Sequence, residues 1–197
     1  MATSQLRNSV MEAIYERASV RSYAPQKLDR DTVQTLLDAA VRAPTAVHEE
    51  PWQFVVIQDA GLLQRISDRA KPFFLEEIGR AHLDRGGHTL ERFASPEFNI
   101  FYDAGTLIVI CGLPTAAFVA ADCWLAAENL MLAAYSMGLG SCVIGSAVRG
   151  INSPEVKAEL GIPPEISAIA PIIVGVPSGK TAPSSRREAK ILAWKGA

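Results

Sequence analysis

The sequence predicts an α+β fold in a single domain, a sheet covered by helices. Three observations carry this. Strand-like and helix-like segments mix without a regular β-α-β alternation, and no GxGxxG follows a strand, which sets aside a Rossmann domain. A run near the middle, positions 116 to 137, is apolar on nearly all faces of a helix and so belongs at the centre of the molecule. The length, 197 residues, fits one domain with an added arm.

The elements follow in order. Ser9, Val10, Met11 and Glu12 have the form of a capping box, and Ile14 and Tyr15 continue at helical spacing, so a first helix runs to about Arg17. Pro25 prevents its continuation and biases Ala24 toward extended backbone, which makes RASVRSY, positions 17 to 23, an extended segment. A second helix places Val33, Leu36, Leu37 and Ala40 on one face and ends by Pro44. After the loop APTAVHEEPW, QFVVIQD reads as a buried strand and Leu62 to Ala70 as a short helix. Positions 71 to 100, with Pro72, Gly86, Gly87 and Pro96, mix helical and loop signals and suggest a lid. GTLIVICGL is a strand, the long helix closes at Gly138, and Ser153-Pro154-Glu155 opens a short helix that Gly161 ends. The strand AIAPIIVGV contains Pro171, which favours an edge or a strand boundary. Residues 177–197 form a tail too polar to build a core of its own. There is no internal repeat.

Composition excludes several classes. With 49% apolar and 20% charged residues, the chain is an ordinary globular one. A net charge of −2 and a pI near 5.9 give no electrostatic case for nucleic acid. Cys111, Cys123 and Cys142 lack metal or CxxC spacing and sit in apolar surroundings, as expected of reduced thiols in a cytoplasm. The N-terminus has no apolar core of signal-peptide type. Asp122, Glu128 and Asn129 make the long apolar helix a poor membrane span, because an acidic residue near the centre of a span costs about 2.5 to 3.5 kcal/mol.

The chemistry lies in a few motifs. In an extended RASVRSY, alternate side chains share a side, so Arg17, Ser19 and Arg21 offer two guanidinium forks and a hydroxyl to a phosphate dianion. The bland alternative is a solvated charged segment. GLGSCVIG suits a close approach of backbone to a flat ring, since its glycines carry no side chain to hold the ring away; it also suits a helix end capped by Gly138 before a packed strand. His82 and His88 lack metal-ligand spacing and read as surface or lid residues. Cys142 and Trp124 read as core, and Glu128 would need a partner if buried.

RASVR near the start, APTAVHEEPW before the first strand, GLGSCVIG after the long helix and the closing LGIP…VGVPSGKTAPSSRR…W, in this order, resemble the FMN-dependent nitroreductase family. The resemblance covers nearly the whole chain and is weakest across positions 60 to 105. It implies a sandwich with a mainly antiparallel sheet, flanking helices and a long buried central helix, in an intertwined homodimer with residues 177–197 packed on the partner. FMN would lie at the subunit interface. By the same resemblance Arg17, Ala18, Ser19 and Arg21 would hold its phosphate and ribityl chain, and Arg186 or Arg187 would add a second phosphate contact, the alternative being a solvated basic tail. Pro44, Thr45 and Ala46 would reach the flavin from the partner subunit, and Val143, Ile144 and Gly145 would lie beside the ring.

His48 and Glu50 stand where many members have Asn and Gln. His48 would then contact flavin or substrate, or supply a proton; it is otherwise a polar loop residue. Glu50 is left out of the site, since a carboxylate there would oppose an anionic reduced ring. No catalytic side chain or metal is required, because the chemistry would be flavin-centred. The implied activity is NAD(P)H-dependent reduction of nitroaromatic, quinone or similar acceptors by a ping-pong cycle. The alternatives are a specialised dehydrogenase, dehalogenase or oxygen-using relative, and a flavin-binding protein without turnover.

Overall fold

In the computed structural model, residues 10–81 and 88–196 are described. Helix α1 spans Val10–Glu16, α2 Arg30–Ala40, α3 Ala60–Ala81, α4 His88–Ala94, α5 Val119–Ser136, α6 Val148–Ile151 and α7 Pro154–Leu160. Strands β1 (Gln53–Ile57), β2 (Thr106–Gly112), β3 (Gly140–Val143) and β4 (Ser167–Gly175) form one sheet in the order β1-β2-β4-β3, and every named pair is antiparallel. The strands run from four residues in β3 to nine in β4, and the connections are helical excursions that cover both faces.

Side-chain alternation on β2 explains the layers. Leu107, Val109 and Cys111 face a core with Ile66, Ile100 and Ile151, on the side of α3, α6 and α7. Ile108 and Ile110 face the opposite core, filled by Leu36 of α2 and by Ala126 and Leu130 of α5. With both faces covered, β2 is buried throughout. Asp29 caps α2 by accepting from the Thr32 amide at 2.7 Å, and that hydrogen bond holds its carboxyl below the ordinary value. Gly138 and Gly161 adopt left-handed φ of 75° and 69° after α5 and α7, which no branched side chain would favour.

Three sequence expectations change. The short helix expected over 62–70 is 22 residues long and passes through Pro72. Proline removes one ladder N–H, but Leu63, Ile66 and Ala70 anchor the turns before it. Beyond it, Arg149 donates to the Phe73 carbonyl at 3.3 Å and pairs with Glu76 at 3.3 Å. Pro171 lies in an inner strand, not at an edge or boundary, paired with Val109. Its carbonyl accepts from the Ile144 amide at 2.9 Å just beyond the last β3 pair, Val143 with Ile172, so its absent N–H falls where the ladder ends. Trp124 and Glu128 are not core: both are exposed, on the outer face of α5, and Glu128 needs no buried partner.

The segment expected to be irregular is helical up to Ala81 and again in α4. Phe74 and Phe93 approach to 4.4 Å between ring centroids, and Phe93, Phe98 and Tyr102 continue the contact at 5.2 and 5.5 Å. His82, Gly86 and Gly87 lie outside the described residues. No helix among the described residues is long and apolar enough to cross a membrane.

Candidate functional site

The segment after α1 runs extended beside β3, as Pro25 led one to expect. Ser19 forms a parallel bridge with Ser141, the Val20 amide donates to the Ser141 carbonyl at 3.0 Å, and Tyr23 bridges Pro177. This edge can approach so closely because residue 140 is glycine: a Cβ there would stand 2.7 Å from Val20. Val20 is buried, and its neighbours Ser19 and Arg21 therefore point away from the core. The Tyr23 hydroxyl donates to the Val20 carbonyl at 2.7 Å, and burial pushes its pKa up.

Arg17 and Ala18 line a cleft of about 170 Å³ with Tyr135, Ser141, Pro177 and Thr181. The Arg17 Nε is buried and has no hydrogen-bond partner among the described residues. A guanidinium nitrogen in that state costs about 1 to 3 kcal/mol in lost hydration, and Glu16 lines the same cleft as Arg17. Arg21 sits at a second hollow, of about 260 Å³, with Tyr23, Arg92, Glu97, Tyr102 and Asp103. Its guanidinium carbon is 6.0 Å from the Tyr102 ring centroid, while Arg92 lies 5.2 Å from that ring and 4.5 Å from Phe98. The two arginines of the segment thus address successive hollows, with Ser19 between them.

Val143 is half-buried, Ile144 is buried and Gly145 is exposed. A Cβ at Gly145 would meet nothing within 4 Å, so this backbone offers an open, flat approach. The Ile144 amide is engaged by Pro171, so an amide offered to a ligand here comes from Gly145 or beyond. Cys142, on β3 itself, is 2% exposed and faces the core.

Pro44, Thr45, Ala46 and His48 lie on a loop at the far side of α2, and none of them lines either arginine hollow. A short 3-10 turn, Ala46–His48, carries left-handed φ at Val47 (48°) and His48 (57°), with Glu50 at 46°. His48 and Glu50 are exposed. The loop is tied to α5 by Asp122, whose carboxylate accepts from the Ala46 amide. Arg186 and Arg187 are exposed on the tail and do not line the Arg17 cleft; Arg186 donates to the adjacent Ser185 carbonyl at 3.2 Å. Within one chain, then, the structure brings together Arg17, Ala18 and Ser141 with Pro177 and Thr181 from the start of the tail in one cleft and Arg21 with Arg92 in another, and leaves the 44–48 loop and Arg186 and Arg187 out of both.

Sequence reasoning missed Asp122 as an anchor, and missed Arg92, Glu97, Tyr102 and Asp103 around Arg21. Asp122 had a signal, an acid inside an apolar helix. The second group had none, since its members meet only through tertiary packing. Among the described residues, no group of His, Cys, Asp or Glu could hold a metal ion.

A family model described as the nitroreductase family matches residues 14–176. A protein of Archaeoglobus fulgidus, named as a candidate NADH dehydrogenase/NAD(P)H nitroreductase, is 27% identical over 172 residues, 85% of this chain and 84% of that protein. An FMN reductase [NAD(P)H] of Bacillus subtilis is 26% identical over 187 residues, 91% of this chain and 70% of that protein. The crystal structure of a nitroreductase with bound FMN from Bacteroides fragilis superposes with a TM-score of 0.80 at 27% identity, covering 95% of this chain and all of the other.

Proposed function

We propose that this chain, which belongs to the nitroreductase family, is an FMN-dependent oxidoreductase that uses NAD(P)H to reduce nitroaromatic, quinone or similar acceptors in a ping-pong cycle. The observation that carries the reading is the buried, unpartnered Nε of Arg17 at the head of the R-x-S-x-R segment. A dianionic phosphate suits the Arg17 guanidinium, whose side chain lines the cleft, and Ser19 follows two residues on, on an edge fixed by Gly140. Arg21 would add charge from the neighbouring hollow. The open face at Gly145 suits a ring laid against backbone. Bound FMN would supply the redox chemistry, taking up two electrons from NAD(P)H and passing them to the acceptor. This chain's residues would hold it, orient its ring and keep water from one face.

The reading includes a homodimer. Val10 (71% exposed) and Tyr15 (70%) on α1, Trp124 on α5, and Leu192 (90%) and Trp194 on the tail are large apolar side chains left in solvent by a single chain. A second copy would cover them, and the 44–48 loop would then serve the partner's flavin, not its own. Arg186 or Arg187 would reach a phosphate through the same exchange of tails.

The test is the visible spectrum of the purified protein, identification of any released chromophore, and NAD(P)H oxidation with a nitroaromatic and a quinone. Bound FMN with turnover of several acceptors is the expected result. A colourless protein that added FMN does not convert to a flavin complex would overturn the proposal. Bound FMN without turnover would favour the non-catalytic flavin carrier.

A further inference from the structure

Asp122 is the one buried carboxylate among the described residues, at 3% exposure. It lies in the first turn of α5, where the free amide ends of the helix favour a negative charge. Its hydrogen-bond partner is the Ala46 amide, which it accepts through Oδ1 at 3.3 Å and Oδ2 at 3.4 Å. No lysine or arginine pairs with it among the described residues. A carboxylate taken out of water for one shared backbone N–H is costly for folding alone.

The amide it holds is a specific one. Ala46 opens the 3-10 turn that places Val47 and His48 at left-handed φ, a conformation each side chain disfavours. The backbone flanking the loop is anchored at Ala43, which is buried, and at Trp52, which packs against the same core, and the Ala46 amide ties the chain to α5 between those two points. Without it, the loop from Pro44 to Glu50 has side chains that are mostly exposed and little else to fix its path.

We infer that Asp122 is a positioning residue: through the Ala46 amide it holds the loop from Pro44 to Glu50 in the shape that presents Pro44, Thr45, Ala46 and His48 to a cofactor. The cofactor part of this inference rests on the reading given under Proposed function; the anchoring part does not. Asp122 touches no ligand itself. It acts by accepting one hydrogen bond, and that makes its role separable from its charge.

The experiment compares Asp122→Asn, Asp122→Ala and Ala46→Pro with the wild type. Two readouts are used: hydrogen–deuterium exchange of a peptide covering positions 44 to 50, and FMN affinity from quenching of flavin fluorescence, with the visible circular dichroism of the bound flavin alongside. The amide oxygen of Asn still accepts from Ala46, so Asp122→Asn keeps the exchange protection and an FMN affinity within about threefold. Asp122→Ala loses the protection, weakens FMN about tenfold and alters the flavin dichroism. Ala46→Pro removes the same hydrogen bond from the loop side, outside the core, and reproduces that pattern even if Asp122→Ala does not fold. Unchanged exchange in Ala46→Pro overturns the anchor. Lost protection with unchanged FMN affinity overturns its role toward the cofactor. A wild type that binds no FMN removes the parent reading, while the exchange data still decide whether Asp122 fixes the loop.

Discussion

Arg17→Met separates a ligand-binding arginine from a structural one, because the two roles predict opposite signs. In the single chain the Arg17 Nε is buried without a partner, and an unsatisfied donor costs about 1 to 3 kcal/mol. Methionine keeps an apolar stem of similar length and carries no donor, so the flavin-free variant should melt at the wild-type temperature or slightly above. With FMN the sign reverses. A hydrogen bond between charged groups contributes about 1.5 to 3 kcal/mol, and at 1.4 kcal/mol per factor of ten the dissociation constant rises about 10- to 150-fold. The assay is a pair of thermal melts, with and without FMN, and a fluorescence titration at two salt concentrations. Ligand at 100 times its dissociation constant stabilises by about 2.7 kcal/mol, and in the variant at the same FMN concentration that increment should fall to between about 1.4 and about 0.3 kcal/mol. A flavin-free variant that melts well below wild type while binding FMN equally would refute the assignment and return Arg17 to the scaffold.

Two glycines of the same strand region should part in the same way. Gly145→Ala, with nothing within 4 Å of the new Cβ, should leave unfolding within about 0.5 kcal/mol of wild type yet weaken FMN, whereas Gly140→Ala, whose Cβ would meet Val20 at 2.7 Å, should cost about 1 to 3 kcal/mol; unaltered FMN binding by Gly145→Ala would show that no ring uses that face. Burial first, and then the neighbouring Cys123 thiol, pushes the Cys111 thiol up to about 12, and burial followed by the Asp122 carboxylate pushes the Cys123 thiol to about 11. At pH 8 only about one Cys123 in a thousand is thiolate, so a maleimide should label neither residue in the native protein and both after denaturation, as read by mass spectrometry. Trp124→Glu together with Leu125→Glu should convert a sedimenting dimer to monomer and release flavin; a wild type that sediments as a monomer with bound FMN would remove the interface from the proposal.

Elements whose information is local were legible in the sequence. The face of α2, the caps at Gly138 and Gly161 and the continuous apolar run of β2 each follow from spacing within a few residues. Pro72 and Pro171 misled for one shared reason. Proline marks a missing N–H, and whether that matters depends on what stands opposite: at Pro171 the ladder has ended, and at Pro72 the packing of the flanking turns holds the helix. The extended path of RASVRSY was legible from Pro25, but the directions of its guanidinium groups were not, since a long side chain has several staggered torsions and its target comes from elsewhere in the chain.

The α5 helix shows where sequence reasoning meets its physical limit, and why the limit informs the function. Apolar residues on every face predict a helix buried on every side. In one chain, Val119, Cys123, Ala126 and Leu130 are buried while Trp124 and Leu125 remain 44% and 46% exposed. Hydrophobicity reports that a surface leaves water, not which molecule covers it. The same holds on α1 and on the tail, where Tyr15, Leu192 and Trp194 face solvent. Asp122 is the converse case, a charge on the buried face of that same helix, held by a loop that lines neither arginine hollow of its own chain. One helix therefore carries an outer apolar face and an inner acid bonded to a loop that lines neither of those hollows. The proposed homodimer, with its site completed across two subunits, would account for both.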